Sequence, residues 1–136
     1  MGKALGIDYG TKRTGIAITD AMQIIASGLT AVATHTLDEF IANLLQKEAI
    51  ECFVVGDPKN LDGTATDSTS HVNGFVKRIK QKYPEIPIYQ IDERFTSKIA
   101  KQSILDAGIK KMKRRDKVLV DKVSAAIILQ SYLDFK

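Results

Sequence analysis

The segment Cys52–Gly56 reads CFVVG, an apolar run with no polar residue to face water. A strand of this kind is stable only in a sheet covered on both faces, which points to an α/β protein with helices above and below. Its flanks agree. Leu37–Glu48 (LDEFIANLLQKE) carries apolar residues at 37, 40, 41, 44 and 45, the spacing of an amphipathic helix, with Thr36 as candidate N-cap. After it, Asp57–Thr66 (DPKNLDGTAT) has loop composition, and a helix is predicted from Asp67 or Ser68 to Tyr83.

Two β-prone runs open the chain, Ala4–Tyr9 (ALGIDY) and Thr14–Thr19 (TGIAIT), joined by the hairpin-like Gly10-Thr11-Lys12-Arg13. A third strand is expected from Ile24 or Ala26 to about Ala33. Pro84 and Pro87 bracket the turn into a strand over Ile86–Ile91 (IPIYQI). Thr96 begins a helix that Gly108 ends, and a last helix covers roughly Val120 to Leu133. The order β-β-β-α-β-α-β-α-α gives an antiparallel meander followed by parallel, helix-linked strands. The expected fold is a mixed five-stranded α/β sheet with helices on both faces.

At 136 residues, with 44% hydrophobic and 26% charged residues, one domain spanning 1–136 is the expectation, and the composition argues against disorder. No apolar run approaches the roughly 18–20 residues of a membrane span. Met1-Gly2-Lys3-Ala4 leads straight into the first strand, with no room for a signal peptide. The single cysteine, Cys52, suits a reducing compartment, so a cytoplasmic protein is expected. In an apolar strand it reads as core rather than nucleophile. His35 and His71 lack ligand spacing, and Phe40, Phe53, Phe75 and Tyr132 fall at core positions.

The formal charge of +4 is concentrated. Lys110–Lys117 (KKMKRRDK) holds six Lys/Arg against Asp116, and without it fourteen basic face fifteen acidic residues. The segment is expected on a loop between two helices. A solvated connector is its plain reading, and a grip on a polyanion the functional one.

Its position favours the grip, because it runs into Asp121. On a wheel of about 100° per residue, Asp121 lies in the apolar stripe with Ala125, Ile128, Leu129 and Tyr132. A carboxylate there is costly unless it caps the helix start or binds something. Ligands of open α/β sheets bind beyond the carboxyl ends of parallel strands. There the sequence sets Asp8, Gly56-Asp57 and Asp92-Glu93, although acids at strand ends also form turns. Carboxylates from two strands and a helix could share one or two hard cations, Mg²⁺ or Mn²⁺, whereas Zn²⁺ would want His or Cys.

At this point a family resemblance becomes visible. Gly6-Ile7-Asp8-Tyr9-Gly10-Thr11-Lys12-Arg13-Thr14-Gly15 resembles the opening G-x-D-x-G-x-x-R-x-G of the YqgF family, also called RuvX. Val54–Thr64 (VVGDPKNLDGT) is similar to its V-V-G-x-P-x-N-x-D-G-T segment. Asp92-Glu93-Arg94-Phe95-Thr96-Ser97 resembles D-E-R-x-[ST]-[ST], and Asp121–Ala126 with Ile128–Leu133 resembles its closing segment. The match runs through essentially the whole chain in order.

The resemblance implies an RNase H-like fold of strand order 3-2-1-4-5, with strand 2 antiparallel. It implies a divalent-metal nuclease in which Asp8, Glu93 and Asp121 are both catalytic residues and metal ligands. Spacing alone leaves Asp92 and Glu93 open, since strand neighbours point to opposite faces; the motif favours Glu93. Arg13 and Arg94, beside the acids, suit phosphate binding or an ion pair with Asp8 or Asp92. Lys59 and Asn60 precede a helix N-terminus that could receive a phosphate, and Lys113, Arg114, Arg115 and Lys117 belong to the basic segment. The implied partners are nucleic acids: structured RNA such as a pre-16S rRNA precursor whose 5′ end is processed, or a four-way DNA junction. A monomer would serve the first and a two-fold homodimer the second.

Two other classes of protein share features of this sequence. An actin-like or sugar-kinase ATPase also carries an Asp and glycines between two opening strands, but needs a second domain to close on nucleotide. A non-catalytic RNA-binding module of the same fold would not need all three acids.

Overall fold

The computed structural model describes residues 2–57, 67–92 and 117–135. Strands β1 (Lys3–Asp8), β2 (Arg13–Thr19) and β3 (Ala26–Ala33) lead through a 3₁₀ turn (Thr34–Thr36) into α1 (Leu37–Lys47). Then come β4 (Ile50–Asp57), α2 (Asp67–Lys82), β5 (Ile88–Asp92) and α3 (Lys117–Phe135). The sheet order is β3-β2-β1-β4-β5, antiparallel across β3-β2-β1 and parallel across β1-β4-β5. This is the expected RNase H-like arrangement. The helix expected over 96–108 and the loop over 58–66 lie outside the described residues.

The sheet has two unlike faces. Leu5, Ile7, Ile16, Phe53 and Val55 pack against Leu37 and Ile41 of α1 and Val72, Phe75, Val76 and Ile79 of α2. Ala4, Ala17, Cys52 and Val54 pack against Ala125, Ile128 and Leu129 of α3. Large side chains on one face and small ones on the other follow directly from the strand alternation. The small face lets α3 lie close to the sheet: a Cβ on Gly6 would fall 2.8 Å from the Leu129 Cβ, and one on Gly15 only 2.1 Å from the Asp121 carbonyl oxygen.

Three expectations are corrected, and the start of β3 falls at the second of its two expected positions. Thr36 makes no side-chain cap to α1; its hydroxyl donates to the Ala33 carbonyl (2.7 Å) and closes the 3₁₀ turn instead. β3 begins at Ala26, because Asp20 organises residues 20–25 as a turn. Its Oδ1 accepts from the amides of Ile24 and Ile25 (2.9 Å each) and its Oδ2 from Met22 (3.1 Å), while Gln23 takes a left-handed φ of 55°. β5 begins at Ile88, since Pro87 has no N–H to give the ladder, although its carbonyl accepts from Phe53 (3.0 Å). Finally, α3 begins at Lys117 rather than near Val120.

Candidate active site

Strand parity brings the site together. Gly6 lies under α3, so Asp8, two residues on, points to the same face. Asp8 pairs with Gly15 across the β1–β2 ladder, and Arg13, two residues before Gly15, shares that face too. Asp121 lies on α3 directly over Gly15. Asp8, Asp121 and the turn Tyr9–Arg13 line one cleft of about 290 Å³ at the carboxyl end of β1.

Within it, Arg13 Nε donates to Asp121 Oδ2 at 2.8 Å. The sequence offers Asp8 or Asp92 as ion-pair partner of this guanidinium, and the acid it pairs with is Asp121. With α3 starting at Lys117, Asp121 is the fifth residue of the helix, so the capping alternative is excluded. Its carboxylate stays 20% exposed at the cleft wall, while Ala125, Ile128 and Leu129 below it are buried. Thus the wheel stripe is real, with the carboxylate at its solvent-facing end.

The turn lining the cleft is fastened by a residue that the sequence did not single out. Thr34 donates its hydroxyl to the Gly10 carbonyl (2.6 Å) and its amide to the Lys12 carbonyl (2.9 Å). With the Thr34 proton so used, the buried Thr14 hydroxyl donates to Thr34 across 2.9 Å. No local pattern marks a threonine twenty-four residues from its partner. Behind the turn, Tyr9 stacks on Phe75 (4.8 Å between centroids), which lies under Arg78 (5.5 Å). Arg78 forks onto both oxygens of Asp38, and that hydrogen-bonded pairing raises its pKa.

The other acids divide by face. Ile88 is in register with Phe53, on the α1/α2 side, so Gln90 and Asp92 face that side as well. Tyr89 stacks on Tyr132 of α3 (5.2 Å), which fixes the opposite parity for Tyr89 and Ile91. Asp57, in register with Asp92, likewise points away from Asp8. Lys59, Asn60, Glu93, Arg94, Lys113, Arg114 and Arg115 lie outside the described residues, and Lys117 is the first residue of α3 rather than part of a loop. Among the described residues no three His, Cys, Asp or Glu gather as a metal site; the cleft supplies two carboxylates. Its donors are all oxygen, the set that suits a hard divalent cation.

A carboxylate at the carboxyl end of the central strand, a second on the helix above it and an arginine beside them suit a phosphodiester hydrolase. The comparisons with known proteins give the family. Residues 2–135 match the model of the RuvX family, described as Holliday junction resolvase, and the chain belongs to this family. A relative from Porphyromonas gingivalis is 53% identical over 134 residues, covering 98% of this chain and 97% of its own. One from Christiangramia forsetii is 51% identical over 133 residues, covering 98% of each. Both are named "Putative pre-16S rRNA nuclease". Among solved structures, Thermus thermophilus RuvC in complex with a Holliday junction substrate has the same fold, at a TM-score of 0.59 and 15% identity over 99% of this chain and 96% of that one.

Proposed function

We propose that this nuclease hydrolyses phosphodiester bonds of structured RNA and processes the 5′ end of pre-16S rRNA, with Asp8, Glu93 and Asp121 as catalytic residues and metal ligands. The observation that carries this reading is the meeting of Asp8 and Asp121 in one cleft, on one face of the sheet. The orientation of Asp92 toward the α1/α2 face supports Glu93 as the third acid. Asp8, Glu93 and Asp121 would hold Mg²⁺ or Mn²⁺, one or two ions, which would stabilise the negative charge that develops on the phosphate.

The chain's own groups supply the rest. Arg13 and Lys12 stand at the cleft to orient a phosphate, and the Thr34 clamp keeps their turn in place. Lys59, Asn60, Arg94 and the basic residues Lys113, Arg114, Arg115 and Lys117 hold neighbouring phosphates. No described helix is long and apolar enough to cross a membrane, and a single, buried cysteine, Cys52, fits a reducing cytoplasm. The names of the relatives favour rRNA; the family description favours the second reading, a DNA four-way junction. A monomer suffices for the first, whereas symmetric cutting of a junction requires a homodimer.

The test is parallel cleavage of a labelled rRNA precursor and a four-way DNA junction, with Mg²⁺ or Mn²⁺, by wild type, Asp8→Asn and Asp121→Asn. Specific cleavage of the precursor, lost in both variants, is the expected result. Cleavage of the junction alone would transfer the assignment to the second reading. Equal activity in all three proteins would remove the acids from the mechanism.

A further inference from the structure

We propose that Arg13 is a resident cation on Asp121 that competes with a divalent metal for that carboxylate, so that one side chain couples metal binding to phosphate capture. The inference rests on the metal-nuclease reading above and concerns the order of events at that site. Arg13 is the first residue of β2 and Asp121 the fifth of α3, 108 positions apart, yet they meet at 2.8 Å at the cleft wall. Asp121 is 20% exposed and Arg13 40%, so the pair borders the cleft rather than lying in bulk water.

Guanidinium donates only and keeps its charge at all working pH values. Its bond to Asp121 Oδ2 already offsets the charge of that carboxylate, and a divalent cation on the other oxygen would repel the guanidinium. Loading the acids with metal therefore weakens the hold of Asp121 on Arg13 and turns the guanidinium toward an incoming phosphate. Coupling of this kind is reciprocal: phosphate that draws Arg13 away favours metal by the same factor. An empty site keeps its carboxylate neutralised, and a cation binds best when substrate arrives.

Mn²⁺ titrated calorimetrically into the full chain, without nucleic acid, tests this directly. The proteins compared are wild type, Arg13→Gln, Asp8→Asn and Lys12→Gln, the last removing one charge from the same cleft. Arg13→Gln is expected to bind Mn²⁺ roughly three- to tenfold more tightly than wild type, and Lys12→Gln less than about twofold. A residue that only positioned Asp121 would do the reverse, weakening Mn²⁺ on its removal. Unchanged or weaker binding in Arg13→Gln, or an equal gain in Lys12→Gln, overturns the coupling. If wild-type binding is then still lost in Asp8→Asn, the metal site itself stands. Absence of binding in both wild type and Arg13→Gln overturns the coupling and the metal reading together. Binding by Arg13→Gln alone supports the coupling in its strongest form.

Discussion

The carbonyl oxygen of Asp121 lies 2.1 Å from the point where a Cβ on Gly15 would sit, so the helix carrying one site acid rests on a glycine of the strand beside the other. Gly15 is the register partner of Asp8. A single missing side chain thus sets the separation between the two carboxylates, and the final glycine of the opening motif has a steric reason.

Gly15→Ala should accordingly lift the start of α3. The neighbour is backbone, which cannot rotate away, so a loss of about 1–3 kcal/mol in urea denaturation is expected, together with loss of cleavage. Gly74→Ala is the matched control. Nothing lies within 4 Å of its Cβ position on α2, and a gain of about 0.5–1 kcal/mol is expected there. Equal effects at the two sites would refute the close-approach argument.

Thr34→Val keeps the shape of the side chain but removes the bond to the Gly10 carbonyl and leaves Thr14 without its acceptor. A cost of about 1–3 kcal/mol is expected. Because the clamp holds the turn and not the acids, KM for nucleic acid should rise more than kcat falls. A variant with normal stability and KM would show that the turn holds itself.

Much of this architecture was legible in the sequence. CFVVG demanded a doubly covered sheet, three short-linked strands gave the meander, and the stripe below Asp121 is buried as its periodicity required. What stayed hidden depends on long-range geometry or single-residue phase. The partner of Arg13 is set by how α3 docks, which no local pattern encodes. The start of α3 was missed because Val118-Leu119-Val120 reads equally as a strand. The choice between Asp92 and Glu93 was open because β5 sends Ile88 to one core and Ile91 to the other, so its apolar residues define no single face.

Acid should loosen the β2–β3 turn. Amide hydrogen bonds from Ile25 and then Ile24 hold the Asp20 carboxyl below its usual value of 3.8. A depressed folded pKa contributes stability above the unfolded value, and that contribution is lost as pH falls through the folded one. The NMR titration midpoint of Asp20 should lie below 3.8, and Asp20→Asn should flatten the acid limb of stability against pH. A midpoint at or above 3.8 would contradict the turn geometry.

Alkali should act where α3 meets β4 and β5. Burial first, then the Cys52 thiol 3.9 Å away, push the Tyr132 hydroxyl up to about 12 from 10.0. A raised folded pKa means stability intact below pH 10 and lost as pH climbs from there toward 12. Of the four tyrosines, one should ionise late in an ultraviolet titration, and Tyr132→Phe should remove that phase. A late phase that persists in the variant belongs to another tyrosine.

The face assignment at the end of β5 gives the sharpest functional test. Asp92 and Asp57 are register partners on the α1/α2 side, whereas Asp8 and Asp121 share the α3 side. An acid on the far face cannot reach an ion held by Asp8, because the thickness of the sheet intervenes. Asp92→Asn should therefore keep the metal dependence of cleavage, with rates within a few-fold of wild type. Glu93→Gln should lower kcat by at least about a hundredfold, as removal of a group stabilising transition-state charge does. Metal titrations of the cleavage rate, with melting curves to confirm folding, separate the two. If Asp92→Asn is the inactive variant, β5 must be in a different register at its carboxyl end, and Asp92 would replace Glu93 beside Asp8 and Asp121.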